Sequence, residues 1–153
     1  ARITKVNRNY AIAYVKNGIL ALIDVLGRDE ALRLARRAAR LIGLQYYPTL
    51  AAAVDVADGN YQDSAAFLTT MFAGMGDQTT SELEDDHDRA VINHTGLHIT
   101  KGLSEQQQQD VLSCWCELWL GTIHSHRLFK HAEVSINADH LIWTIEDRMA
   151  TGA

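Results

Sequence analysis

Residues 79–100 read TTSELEDDHDRAVINHTGLHIT, and this stretch decides the fold class. Threonine and β-branched residues favour strands at both ends, and the acidic run at 84–88 between them is typical of a turn. We therefore predict a β-hairpin with strands from Thr79 to Leu83 and from Arg89 to Thr100. The acidic turn has the composition of a calcium loop but lacks its spacing and its glycine, so we interpret it as a solvated turn.

The residues before the hairpin have the periodicity of helices. Between Tyr10 and Leu26, apolar residues recur at intervals of three and four, which predicts a helix with one buried face. That face consists of Ala11, Val15, Ile19, Leu22, Ile23 and Leu26. Gly27 is placed to end this helix, because glycine readily adopts the left-handed conformation of a helix C-cap.

Further helices are expected before the hairpin. One begins near Asp29, a good N-cap residue, and ends at Gly43. Its expected buried residues are Ala31, Leu34, Ala35, Ala38, Leu41 and Ile42. Its opposite side carries Arg33, Arg36, Arg37 and Arg40. We interpret these arginines as a solvated face rather than an anion-binding stripe. Pro48 suits the first turn of a third helix, which extends through Val56, and a fourth runs from about Asp63 to Phe72.

The residues after the hairpin return to a helix and then to strands. Ser104 and Gln107 form a capping box, which predicts the start of a long helix that ends near Phe129. The segments from Glu133 to Ile136 and from Leu141 to Ile145 read as two more strands. The predicted fold is therefore α+β, with N-terminal helices and a long helix packed against a short four-stranded antiparallel sheet.

Length and composition fit one globular domain. The 153 residues are 47% hydrophobic and 22% charged, which is close to average globular usage and argues against disorder. We expect a single domain over 1–153, with a helical half at about 4–74 and the hairpin, long helix and final strands at about 78–147. The net charge of −5 argues against a nucleic-acid partner.

The expected location is the cytoplasm. No apolar run is long enough to cross a bilayer, so we expect no membrane partner. The two cysteines, Cys114 and Cys116, are too close together on one helix to face each other, so a disulfide between them is not expected.

The chain contains seven histidines, and these are its most unusual candidates for functional residues. Side chains alternate along the second strand, so we expect His94 and His98 to lie on one face and point into the same cavity, with Gly96 between them leaving room for a ligand. Imidazole and thiolate also suit zinc, but the chain contains neither HExxH nor CxxC spacing, so we expect no metal and interpret the histidines as hydrogen-bonded or surface groups. It also lacks the common nucleotide-binding motifs, and we expect no cofactor.

A second group of chemically active residues is predicted on the long helix. Cys114, Glu117, Gly121 and His124 are spaced so that they share one flank. A thiol, a carboxylate and an imidazole on one flank could act in nucleophilic or acid–base chemistry. The alternative is an ordinary, partly buried helix flank.

Three stretches carry a family resemblance. They are LGRDEA at 26–31, FAGMG at 72–76, and the helix that holds Cys114, Trp115 and Glu117. Their order resembles the L-2-amino-thiazoline-4-carboxylic acid hydrolase family, and the 4-vinyl reductase domains have a similar plan. The resemblance covers roughly Ala11 to Ile145.

The resemblance to the hydrolases implies a small ring or amide substrate, bound between the sheet and the long helix. We expect His94 or His124 to act as the general base, Glu117 to orient or protonate, and His98 to line the pocket. The 4-vinyl reductase resemblance implies instead a ligand-sensing or accessory domain. That group tends to carry cysteines in its sheet half, whereas the expected strands here contain none, which puts thiol or metal chemistry there in doubt.

Two other functional classes remain open from the sequence. The first is a non-catalytic ligand-binding module, whose pocket would be apolar and lined by Trp115, Trp119 and Phe72, with Cys114 as a further ligand-binding residue. The second is self-association. Ile12 and Leu20 give the first helix more apolar surface than its main face needs, which predicts a homo-oligomer.

Overall fold

The computed structural model describes residues 2–53, 59–126, 130–137 and 139–147. Within these residues the chain forms four α-helices and one four-stranded antiparallel sheet, so the predicted α+β class is confirmed. The helices are α1 (Arg2–Leu26), α2 (Arg28–Ala53), α3 (Tyr61–Met75) and α4 (Glu105–His126). The strands are β1 (Gln78–Glu84), β2 (Arg89–Thr95), β3 (Lys130–Ile136) and β4 (Leu141–Asp147). None of these helices combines the length and the apolar content that a membrane crossing requires.

The sheet has the order β1-β2-β4-β3, which places the two inner strands over the core. Ile92 on β2 pairs in register with Trp143 on β4, and both side chains are fully buried. Because successive side chains of a strand point to opposite faces, the residues two positions away from each lie on this same face. The buried side chains of the two strands are Ala90, Ile92, His94, Leu141, Trp143 and Ile145. This face packs against α3 and α4, as the sequence predicted for the long helix.

The predicted boundary at Gly43 is wrong, because α2 continues through Gly43 and Pro48. Gly43 serves helix packing instead: a Cβ atom there would lie 2.0 Å from the carbonyl oxygen of Leu118. A Cβ on Gly121 of α4 would likewise lie 2.5 Å from the carbonyl oxygen of Arg40. The two glycines let α2 and α4 cross at close range, and this explains why one helix replaces the two that were expected. The continuation toward Val56 lies outside the described residues, as does the expected end of α4 near Phe129.

Helix α1 buries only part of the face that its periodicity predicted, and it buries Ile12, which was expected to add apolar surface outside that face. Its buried residues are Ile12 and Ile19, whereas Leu22 is 39% exposed and Leu26 is 43% exposed. The helix packs mainly along α2, so much of its apolar stripe faces an open groove rather than the core. A similar correction applies to α2, where Leu34, Leu41 and Ile42 are exposed.

Side-chain contacts fix the start of α4. The predicted capping box is confirmed, since the Ser104 backbone N–H donates to Gln107 Oε1 at 3.0 Å and the Gln107 N–H donates to Ser104 Oγ at 3.4 Å. One turn later, the buried Asp110 accepts two short hydrogen bonds from the guanidinium of Arg28, at 2.6 and 3.0 Å. Arg28 begins α2, so this ion pair ties the starts of the two helices together.

Candidate functional site

A buried polar centre surrounds Asp77, between α3 and β1. Gly76 caps α3 with a positive φ of 86°, and this turns the chain so that the following Asp77 side chain enters the interior. Its carboxylate accepts hydrogen bonds from His94 Nε2, His98 Nδ1 and the His98 backbone N–H, each at 2.9 Å. Burial alone raises the pKa of Asp77, but these hydrogen bonds outweigh it and lower the pKa below its usual value. Asp77 is therefore an anion at neutral pH.

His94 is a fully enclosed partner of this carboxylate. Its Nε2 faces Asp77, its Nδ1 accepts a hydrogen bond from Trp143 Nε1 at 3.3 Å, and its ring stacks on Phe72 with centroids 4.0 Å apart. Indole N–H can only donate, so Nδ1 is the acceptor in the bond from Trp143 and Nε2 is the donor to Asp77. Both nitrogens are thus occupied inside the core.

His98 differs from His94 because part of its side chain, 27%, is exposed. The prediction that β2 runs to Thr100 is wrong: the strand ends at Thr95, Gly96 turns the chain with φ of 66°, and His98 begins a short 3₁₀ helix. His98 therefore reaches Asp77 from a turn and not from the strand face. With Nδ1 bonded to Asp77, Nε2 is the ring nitrogen left for a ligand.

His98 lines a cavity of about 290 Å³, which we call the cationic cavity. It lies between α1 and the turn after β2. Its other lining residues are Lys5, Arg8, Asn9, Ile12, Ala13, Lys16 and Lys101. Lys16 is held in place by a 2.9 Å hydrogen bond from its Nζ to the carbonyl oxygen of Lys101.

The flank of α4 that holds Glu117 and His124 contacts Arg40, an arginine that was expected to face solvent. Arg40 Nε donates to Glu117 Oε2 at 2.9 Å, and Arg40 Nη1 donates to His124 Nδ1 at 2.6 Å. Arg40 is only about one-third exposed, so its interpretation as part of a solvated face is wrong. Arg36 also turns toward α4, where its Nε donates to Ser113 Oγ at 3.2 Å.

The environment of His124 keeps its imidazole neutral. Burial lowers the pKa of His124, the positive charge of Arg40 lowers it further, and the opposing effect of Glu117 is smaller. A neutral Nδ1 is also what the Arg40 donor requires. Glu117 and His124 do lie together, as predicted, and Arg40 bonds one polar atom of each, Oε2 of Glu117 and Nδ1 of His124.

A concave surface larger than the cationic cavity is an open groove of about 1190 Å³ between α1, α2 and α4, which we call the apolar groove. Trp115 and Cys114 line it, as the sequence analysis expected for ligand-binding residues. Its larger apolar lining residues are Tyr10, Tyr14, Val15, Ile19, Leu22, Val25, Leu26, Ile42 and Leu118.

Two polar groups at the groove have unusual properties. Trp115 is nine-tenths buried, and its Nε1 has no hydrogen-bond partner. Burial raises the pKa of the Cys114 thiol, and it does the same more strongly for Cys116. Both cysteines are free and buried, so both carry protonated thiols at neutral pH.

The remaining predicted ligand-binding residues lie in the core. Phe72 and Trp119 are almost fully buried and contact each other edge to face at 5.2 Å. Neither lines the groove or the cationic cavity. The eight predicted site residues are therefore distributed over the Asp77 centre, the Arg40 cluster, the groove and the core, and neither the groove nor the cationic cavity contains them all.

Sequence reasoning missed Asp77, Arg40 and the basic residues of the cationic cavity. The basic residues of the cavity could have been found from the sequence, because helical spacing places Lys5, Arg8 and Lys16 on one side of α1 together with Ile12. Asp77 had none, because only the fold shows that two histidines converge on it.

Comparison with known proteins adds no relative: no protein-family model and no curated protein sequence matches the chain. Within the part of the chain that the structure describes, no group of three or more His, Cys, Asp or Glu side chains is arranged to hold a metal ion.

Proposed function

We propose that the protein binds an apolar small molecule in the apolar groove, as a non-catalytic binding module. The observation that carries this proposal is the groove itself, with its volume of about 1190 Å³ and a lining that includes no histidine and no charged residue. Ligand sites are usually concave, mostly apolar and roughly 300 to 1,000 Å³ in volume. Because histidine, carboxylates and lysine are all missing from the lining, binding is favoured over acid–base catalysis.

Trp115 suggests one polar feature of the ligand. A buried N–H without a partner costs about 1–3 kcal/mol, and a ligand acceptor would remove that cost if the groove wall shifts on binding so that the acceptor reaches this enclosed N–H. We therefore propose a ligand with an apolar body and one acceptor, such as a carbonyl or ether oxygen. The protonated thiol of Cys114 contributes apolar contact and not a nucleophile.

Titration with Nile red, a neutral apolar fluorophore with a carbonyl group, tests the proposal. Leu22→Asp places a charge in the groove and should weaken binding at least about tenfold, because a buried leucine contact contributes about 1.5–3 kcal/mol. The matched control is Leu83→Asp on β1, since Leu83 is also about half exposed but lies outside the groove. Equal binding by wild type and both variants would contradict the proposal.

A second copy of the chain is the competing occupant of the groove. Sedimentation at micromolar concentration distinguishes the two. A wild-type dimer that Leu22→Asp converts to monomers, together with no fluorophore binding, would replace our proposal with the homo-oligomer that the sequence analysis expected. A monomer that binds the fluorophore supports the proposal.

Hydrolysis of a small ring or amide-type substrate is the second candidate function, and the pairing of His98 with Asp77 favours it. We propose His98 rather than His94 as the base, because both nitrogens of His94 are already bonded. His98 Nε2 would take a proton from the water that attacks the carbon of a C–N bond. The bond then breaks, and the proton passes to the leaving nitrogen.

A screen of thiazoline and cyclic amide substrates that carry a carboxylate tests this candidate. Loss of a positioned base typically lowers the rate about 100- to 10,000-fold, so His98→Asn should nearly abolish turnover. The activity of Glu117→Gln is measured in parallel, because Glu117 lies on the flank of α4, the other place where catalytic residues were predicted. If that variant loses the activity and His98→Asn retains it, the α4 flank is the site; if wild type hydrolyses nothing, the candidate fails.

A further inference from the structure

We infer that the cationic cavity binds a small oxyanion, the carboxylate or phosphate group of a small molecule. The inference concerns a different cavity from the apolar groove, and it holds whether or not the bound molecule is hydrolysed. Its basis is the juxtaposition of Lys5, Arg8, Lys16, Lys101 and His98 around about 290 Å³.

The charge balance of the cavity points to an anion. Four cationic side chains line it and no carboxylate does, although the whole chain has a net charge of −5. Like charges held this close repel one another, and a bound anion reverses the sign of that energy. None of the four forms an ion pair with a described residue.

The nearest carboxylate, that of Asp77, does not neutralise these cations. One of its oxygens is bonded to His94 and the other to the ring and backbone nitrogens of His98. Both oxygens of the Asp77 carboxylate therefore form their hydrogen bonds with the two histidines and not with the cations of the cavity. Asp77 affects the cavity by orienting the His98 ring, so that the other ring nitrogen, Nε2, is available to a ligand.

The arginine of the cavity is held in place and has spare donors. A Cβ on Gly76 would lie 2.8 Å from Arg8 Nη1, so the guanidinium packs against the C-terminal end of α3, where a helix favours positive charge. Its Nε is buried and has no hydrogen-bond partner. Arg8 forms no hydrogen bond or ion pair with a described residue, so the terminal N–H groups of its guanidinium, rather than the enclosed Nε, are the donors for an oxyanion in the cavity.

Lys16, like the arginine, is held in place and keeps donors for a ligand. One N–H of Lys16 is bonded to the Lys101 carbonyl, which leaves two donors of its ammonium group for a ligand. This bond also ties α1 to the turn that carries His98. The small volume suits one anionic group with a short organic body, and it is too small for a nucleic-acid backbone track.

Calorimetric titration of the whole chain with inorganic phosphate, and separately with acetate, tests the inference. We expect at least one anion to bind in the millimolar range, and the stronger of the two identifies the preferred group. Lys5→Gln and Lys101→Gln should each weaken binding about fivefold, as for a single exposed charge contact. Both side chains are exposed, so the fold should be retained.

The control is Arg37→Gln, which removes one positive charge from an exposed position on α2 outside the cavity. It should leave the affinity unchanged. A second readout is the NMR signal of the His98 ring protons, assigned with His98→Asn, which should shift as phosphate is added. Absence of binding by both anions, equal weakening by the control, or an unshifted His98 signal would each overturn the inference.

Discussion

Arg40 on α2 donates a 2.6 Å hydrogen bond to Nδ1 of His124 on α4, so a permanent cation faces a histidine that must stay neutral. Burial and Arg40 together lower the pKa of His124 below its ordinary 6.5. Below pH 6.5, His124 binds a proton in the unfolded chain, whereas in the folded chain it stays neutral until the pH falls further. The contribution of His124 to stability is therefore present above about pH 6.5 and is lost as the pH falls.

The first prediction follows from this sign. The free energy of unfolding of the wild type should decrease between pH 7 and pH 5, and His124→Gln should make that decrease shallower. Urea denaturation at a series of pH values measures it. His87→Gln, which replaces an exposed histidine in the hairpin turn, is the control and should keep the wild-type slope. An unchanged slope in His124→Gln would show that other groups dominate.

The second prediction concerns the buried bonds of His94. His94→Phe preserves a ring against Phe72 but removes the partner of Asp77 Oδ2 and of Trp143 Nε1. An unsatisfied buried polar group costs about 1–3 kcal/mol, so we expect a loss of roughly 2–4 kcal/mol in unfolding free energy. Chemical denaturation provides the value. A variant as stable as the wild type would mean that water or a shifted His98 replaces both bonds.

The third prediction concerns the crossing of α2 and α4. Gly121→Ala would place a methyl group 2.5 Å from the Arg40 carbonyl oxygen, and the helices would have to separate. Overpacking of this kind costs typically about 1–3 kcal/mol. Gly74→Ala on α3 is the matched control, because a Cβ there meets nothing within 4 Å and alanine favours the helix. Thermal melting should therefore move in opposite directions for the two variants.

The fourth prediction is slow thiol chemistry. Cys114 and Cys116 are buried, and burial raises both pKa values, so little thiolate exists near neutral pH. Iodoacetamide should modify both residues much more slowly in the native protein than in urea, as followed by intact-mass spectrometry. Fast native labelling of Cys114 would reveal an exposed, reactive thiol and would reopen its role as a nucleophile.

Local sequence signals accounted for the elements of the fold. The Ser104 capping box and the alternating strand residues depend on near neighbours, and the structure places both where they were expected. The failures involve distant partners. Gly43 resembled a helix end because sequence spacing cannot show that Leu118 lies 2.0 Å from its missing Cβ.

The candidate site was less predictable for the same reason. Cys114 and Trp115 lie at a concave surface, and Glu117 and His124 lie together, because helical spacing determines which side chains share a flank. Nothing local indicated that Arg40 would occupy that flank. The spacing of His94 and His98 assumed a continuous strand, whereas Gly96 ends it and the two rings meet through Asp77.

The position of β1 at one end of the sheet order has a consequence for aggregation. A strand in that position presents backbone donors and acceptors that could template another chain. Here β1 is short and carries Glu82 and Glu84, and the acidic turn follows directly at Asp85. These carboxylates repel a second copy of the same edge. Growth of the sheet into intermolecular β-structure is therefore disfavoured at β1.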